Sequence, residues 1–320
     1  VSRRELQAAG ITDPALCRAY TTCRELNARH GRTYFLATRL LARARRPAVH
    51  ALYGFARYVD DLVDEPGPEA TAEAVGGRID EAERQLAEGM TTGRSDYPVV
   101  AALVHTVDRY EIDPALFSAF LRSMRMDLDV REYPTRADLE QYTYGSARVI
   151  GLQMLPVLGT VVDRTEAAPP AAALGEAFQL TNFLRDVAED LDRDRVYLPV
   201  DELVAFGVDR DRLFWCRERG RADTAVRRAV ADQVATTRAI YRQAVPGVAM
   251  LRPEARPCIS TALALYSGIL DRIEAMDHDV FAGRARVGTA RKARVAAPAL
   301  VRAVWARHRT HHPVEEGHQR

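Results

Sequence analysis

Apolar residues recur with helical spacing in nearly every long segment of this chain, and no stretch keeps up the strict alternation of a half-buried strand. Over residues 47–65 the stripe is Leu52, Phe55, Val59, Leu62 and Val63, and Tyr53, Arg57, Asp60 and Asp64 fall on one strip beside it. Over 171–195 the stripe is Phe178, Leu180, Phe183, Leu184, Val187 and Leu191, flanked by a polar row of Gln179, Asn182, Asp186 and Asp190. The same periodicity predicts helices over 14–29, 33–45, 69–89, 97–110, 114–130, 135–159, 223–244 and 254–278, with a last one near 290–308. Breaks are expected at Pro66-Gly67-Pro68, between Gly89 and Pro98, and at Pro169-Pro170, Pro199 and Pro246-Gly247. The pattern predicts one all-α domain over 14–310, after a lead at 1–13 and before a polar tail at 311–320.

Composition narrows the function classes. With 47% hydrophobic and 28% charged residues the chain can bury a sizeable core. A net charge of +1 implies no general attraction to nucleic acid. Cys17, Cys23, Cys216 and Cys258 form no CxxC pair, which predicts free structural thiols and a cytoplasmic setting. No apolar run reaches the roughly 20 residues that span a bilayer. A GxGxxG turn, a P-loop, an HExxH helix and a GxSxG elbow are all missing, which argues against nucleotide-fold, zinc-hydrolase and serine-hydrolase chemistry.

The candidate chemistry lies in the two acidic rows. Residues four apart on a helix stack on one face, roughly 5.4 Å from each other. Asp60 with Asp64, and Asn182 with Asp186 and Asp190, therefore form two close oxygen rows at the edge of a packing face. Like charges at this spacing destabilise a helix by a few tenths of a kcal/mol unless something compensates them. One such pair alone is as well explained by chance among 44 acidic residues, as with the solvated pair Glu69 and Glu73. Two rows of matching geometry point instead to hard cations such as Mg²⁺ (or Mn²⁺) bridging to phosphate oxygens. Arg57 shares the Asp60 strip and is placed to bind phosphate as well as to form a plain ion pair, whereas Arg185 lies off its row. Tyr34, Phe35, Tyr53, Tyr142 and Tyr144 are either core aromatics or a lining that steadies positive charge.

These residues resemble the signatures of the squalene/phytoene synthase family, and within it the bacterial phytoene synthases. Tyr53 to Asp64 is similar to the family's first aspartate-rich motif, and Gln179 to Asp190 to its second. Asp194-Arg195-Val196-Tyr197-Leu198-Pro199 resembles the flap that follows, and His30 to Phe35 the N-terminal substrate segment. The resemblance runs from about Tyr20 to Arg294 and implies an isoprenoid synthase helical bundle around a central cavity. It implies a Mg²⁺-dependent prenyltransferase that joins two geranylgeranyl diphosphates head to head, through prephytoene diphosphate, to phytoene in carotenoid biosynthesis. By carry-over Asp60, Asp64, Asn182, Asp186 and Asp190 hold the metal, and Tyr53, Tyr142 and Arg57 serve the ionisation. Tyr34, Gln179, Arg185, Ala147, Gly151, Tyr266, Arg284 and Arg286 contact substrate in the same carry-over. A hydrocarbon product implies peripheral contact with the inner face of a membrane and hand-over to downstream carotenoid enzymes. NADPH is not expected.

One stretch departs from the family pattern: Arg148 stands where a small residue is usual, and its direction decides whether it belongs to the site. Thr38, one turn after Tyr34, is small and leaves room for a longer tail. A squalene or dehydrosqualene synthase acting on farnesyl diphosphate shares both motifs and is the main alternative. A non-catalytic helical assembly protein of the same fold would have lost the aspartates, and here all five metal positions are filled.

Overall fold

The computed structural model describes residues 2–64, 67, 71–288, 294–295 and 298–299. The helix expected near 290–308 falls almost wholly outside the described residues, and the tail at 311–320 entirely so. In chain order the helices are α1 (Arg3–Ala8), α2 (Pro14–His30), α3 (Arg32–Thr38), α4 (Arg46–Asp64), α5 (Ala72–Thr92), α6 (Pro98–Tyr110), α7 (Ala115–Asp129) and α8 (Arg136–Thr143). A π-helical turn (Tyr144–Arg148) leads directly into α9 (Val149–Leu158). Then follow α10 (Arg164–Asp192), α11 (Val200–Val204), α12 (Arg210–Glu218), α13 (Thr224–Ala244), α14 (Gly247–Met250) and α15 (Arg256–Ala275). Among the described residues the only extended pairings are isolated bridges, Glu132 with Val196 and Thr160 with Leu251.

Local chemistry sets most boundaries. Asp13, Thr71, Asp163 and Asp223 each accept a backbone N–H in the first turn of the helix they precede, and Thr135 with Asp138 forms a full capping box. The helix expected over 33–45 stops at Thr38. The Arg46 guanidinium folds back onto the Leu41 and Arg39 carbonyls, stabilising a turn where more helix was predicted. The expected break at Pro169-Pro170 is not a break, because α10 begins at Arg164 and runs through both prolines. The carbonyls those prolines leave without a helical donor belong to Thr165 and Glu166, both exposed and open to water. The single helix expected over 135–159 is interrupted by the π turn. The short helices α1, α11, α12 and α14 were not anticipated.

At 29 residues, α10 is about 43 Å long and forms the spine of the molecule. It packs against α9, α13, α15 and the π turn. Leu180 and Phe183 belong to one hydrophobic core, shared with α4, α6 and α7. Leu184, Val187 and Leu191 belong to a second, shared with α13 and α15. The contact with α9 is unusually close. A Cβ on Gly151 would stand 2.1 Å from the Ala171 carbonyl oxygen, and one on Gly175 2.2 Å from that of Ala147. All four cysteines are free.

Candidate active site

A cavity of about 1280 Å³ lies between the two cores, walled by α2 to α4, α7, the α8–π–α9 segment, α10 and α15. Along α10 its lining runs from Ala167 to Asp190, about 35 Å, and along α4 from Val49 to Asp64, about 22 Å. Both acidic rows therefore stand at the C-terminal ends of their helices. Arg193 and Arg195, just past the end of α10, reach Asp64 on α4 at 3.2 and 3.3 Å, which sets the two helix ends side by side. A helix C-terminus carries partial negative charge, and carboxylates there cost about 0.3–1 kcal/mol each unless a cation answers them. Two such ends and four aspartates form a strongly electronegative rim at one end of a cavity whose remaining lining is mostly apolar.

Every metal, ionisation and substrate residue carried over from the family lines this one cavity: Tyr34, Tyr53, Arg57, Asp60, Asp64, Tyr142, Ala147, Gly151, Gln179, Asn182, Arg185, Asp186, Asp190, Tyr266, Arg284 and Arg286. Arg57 ion-pairs with Asp61 and, at 3.6 Å, with Asp60. Arg185, although off the acidic row, grips the neighbouring Asp186 through Nε at 2.7 Å, and Arg284 reaches the same carboxylate at 2.8 Å. Tyr266 stacks on Phe178 with ring centres 4.4 Å apart and lies 5.0 Å from Tyr34. Gly151 does double duty, since its lack of a side chain also lets α9 and α10 touch. Tyr144 and Phe35 are not on the cavity: Tyr144 is exposed on the π turn and Phe35 packs on His50. Arg148 makes a two-pronged bond to the buried Glu176 at 2.7 and 2.9 Å and does not line the cavity.

Electrostatics at the acidic end fit a cation. Burial pushes the Asp190 carboxyl up to about 8, and the neighbouring Asp186 adds to the shift. Asp60 rises to about 7, from its position deep among protein atoms and then from Asp64, although 48% of its side chain faces the cavity. Both shifts mark carboxylates taken from water first and crowded by a like charge second. Asn182 donates to Gln179 at 3.3 Å, while its buried Oδ1 has no hydrogen-bond partner among the described residues. An orphaned amide oxygen beside carboxylates is a ligand set for a hard cation. Among the described residues no three acidic, His or Cys side chains converge into a ready cage.

Three contacts at the site were not foreseen from the sequence, although Arg195 and Tyr197 belong to the flap named there. Asp127 on α7 is buried and accepts from the Tyr142 hydroxyl at 2.8 Å and the Tyr197 hydroxyl at 3.0 Å. Burial lifts its carboxyl to about 6, with Arg195 and the two hydroxyls holding it down. The signal was available, because Asp127 continues the apolar stripe of Phe117, Phe120 and Met124. Arg193 and Arg195 pair with Asp64 across a chain separation that no local pattern reveals. Tyr197 stacks face to face on Phe183 at 4.2 Å.

Comparison with known proteins gives this arrangement a lineage. The squalene/phytoene synthase family model matches residues 27–291. The chain is 38% identical to a phytoene synthase of Arthrospira platensis over 285 residues, covering 86% of this chain and 90% of that protein. It is likewise 38% identical to a 15-cis-phytoene synthase of Synechococcus elongatus over 288 residues, covering 87% and 91%. Among solved structures it resembles a dehydrosqualene synthase in complex with a ligand, with a TM-score of 0.80 and 27% identity over 89% of this chain and 96% of that one. A squalene synthase from Alicyclobacillus acidocaldarius gives a TM-score of 0.74 at 25% identity, covering 85% and 98%. The chain belongs to the squalene/phytoene synthase family.

Proposed function

We propose that this family member is a phytoene synthase, a prenyltransferase that joins two geranylgeranyl diphosphates head to head (1'-1), through prephytoene diphosphate, to phytoene. The observation that carries the reading is the two-ended cavity, acidic at the C-terminal ends of α4 and α10 and mostly apolar for the rest of its length. The likeness to phytoene synthases over most of the chain selects the longer, C20 substrate. Thr38 supports it, being small, buried and on the cavity wall, with its hydroxyl turned onto the Tyr34 carbonyl at 2.8 Å.

Asp60, Asp64, Asn182, Asp186 and Asp190 would hold Mg²⁺, which when bound offsets the diphosphate charge and makes it a leaving group. Arg57, Arg185, Arg284 and Arg286 supply guanidinium donors to diphosphate oxygens. Gln179 accepts from the Asn182 amide nitrogen and leaves the amide oxygen without a protein partner among the described residues. When the C–O bond of the first substrate breaks, its electron pair leaves with diphosphate and an allylic cation remains. The alkene of the second substrate attacks that cation, and loss of a proton closes the cyclopropane of prephytoene diphosphate. A second ionisation, rearrangement and proton loss give the hydrocarbon. Aromatic faces of Tyr34, Tyr53, Phe178 and Tyr266 steady the cations without offering a nucleophile. The apolar walls keep out water, which would trap each cation as an alcohol.

The product also supports peripheral contact with a bilayer and delivery to downstream carotenoid enzymes. Among the described residues no helix is long and apolar enough to cross a membrane. Purified protein incubated with geranylgeranyl diphosphate and Mg²⁺, with and without NADPH, tests the reading. Phytoene formed without NADPH is the expected outcome. A hydrocarbon formed only with NADPH overturns it in favour of a squalene synthase.

A further inference from the structure

We propose that Asp127 is a positioning residue that lends negative charge to the carbocations through Tyr142 and Tyr197 while keeping its own oxygens out of their reach. This role rests on the reading that the cavity ionises prenyl diphosphates.

Asp127 sits on the cavity side of α7 with only 6% of its surface accessible. A carboxylate buried in an apolar stripe costs several kcal/mol unless its oxygens are satisfied. Here each oxygen has a phenol donor, Oδ2 from Tyr142 and Oδ1 from Tyr197. Two phenol donors, one on each oxygen, are the arrangement that satisfies an ionised carboxylate. The two phenol rings lie 5.5 Å apart, Tyr133 packs against both, and Phe183 stacks on Tyr197. Arg195 donates from Nη2 to the Asp127 carbonyl at 3.1 Å and from Nη1 to Asp64, tying this cluster to the acidic rim. Tyr142, Tyr197 and Phe183 all face the cavity.

The chemistry favours an indirect carboxylate. An allylic cation beside a bare carboxylate would form a C–O bond to it and leave the enzyme alkylated. A phenol whose proton is held by a carboxylate gains electron density at its oxygen and ring face yet keeps that proton. Both tyrosines are held well above the usual phenol range, by burial first and then by the Asp127 charge. They therefore present negative potential with no phenolate to react. If Asp127 served only to anchor the flap, its loss would weaken the fold or substrate binding but leave the chemical steps alone.

The test is Asp127→Asn, which removes the charge but keeps the shape. Helical content and melting temperature should stay close to wild type, and KM for geranylgeranyl diphosphate should stay within about twofold. We expect kcat to fall about a hundredfold, as when one preorganised electrostatic partner is removed, and the cyclopropyl diphosphate intermediate to accumulate. Asp127→Asn added to Tyr142→Phe plus Tyr197→Phe should cost little more, because the charge has then lost its route. An Asp127→Asn enzyme within threefold of wild-type kcat, or a fully additive triple variant, overturns the relay. Should Asp127→Asn fail to fold, the double tyrosine variant decides alone, and full turnover there overturns it. Wild-type protein that makes no hydrocarbon from any prenyl diphosphate defeats the underlying reading. An active wild type with an unimpaired Asp127→Asn variant defeats only the relay.

Discussion

The two ends of α10 serve one cavity with opposite means. From Asn182 to Asp190 the helix offers an amide oxygen and two carboxylates, with Arg185 and Arg284 gripping Asp186. From Ala167 to Gly175 it offers small apolar residues and backbone pressed against the α8–π–α9 wall. The difference separates chemistry from measurement. In the proposed function the acidic end holds the diphosphate, the part that every prenyl diphosphate shares. In the same proposal the apolar end is where tail length is read. One continuous helix keeps the two in fixed register, so a tail that fits places its diphosphate at the rim.

Substitutions at the two ends should fail in different ways. The largest effect is expected at the rim. Asp186→Ala should lower turnover about a thousandfold or more, the scale of a lost electrostatic partner in a dry site, with circular dichroism unchanged. Retained activity would remove the acidic rows from the chemistry. At the other end, Gly151→Val should act on the fold. Its side chain would meet the Ala171 carbonyl, force α9 off α10, and cost about 3 kcal/mol in urea unfolding, as overpacking does. A variant as stable as wild type would mean that this contact is not what seals the wall.

Smaller effects sharpen the same contrast. Thr38→Phe fills space beside the tail and leaves the rim alone. It should lower kcat/KM for geranylgeranyl diphosphate about tenfold, within the range of one pocket-shape change, and leave farnesyl diphosphate nearly untouched. Equal losses on both substrates would place Thr38 outside length selection. The smallest effect is a pH trend in metal-free protein. Asp60 and Asp190 titrate at about 7 and 8 when folded but near about 4 when unfolded. Between those values the folded chain binds more protons, so stability is greatest on the acid side and falls as pH rises through 7 to 8. Melting temperature should drop by a few degrees between pH 5 and pH 8 without Mg²⁺, and recover at pH 8 when it is added. A metal-free melting temperature that rises over this window would contradict the crowded-charge account.

Much of this was legible in the sequence because helical periodicity is local. Spacing of four placed Asp60 over Asp64 and Asp186 over Asp190, and the apolar stripes placed both rows at the edge of a core. The resemblance to known signatures supplied Tyr34, Tyr266, Arg284 and Arg286, which no local pattern would have joined to that rim. Long-range partners were not legible. Arg193 and Arg195 meet Asp64, and Tyr197 meets Asp127, through folding of distant segments. Prolines misled at Pro169-Pro170, because the carbonyls they orphan are open to water. The direction of Arg148 needed its partner Glu176, one helix away.

In the proposed function the acidic end ionises prenyl diphosphates and the mostly apolar end selects the longer one. Direct competition tests it: equimolar farnesyl and geranylgeranyl diphosphates with Mg²⁺ and no NADPH, the hydrocarbons then separated and counted. A predominance of the C40 product phytoene is predicted. A predominance of a C30 hydrocarbon would contradict the account.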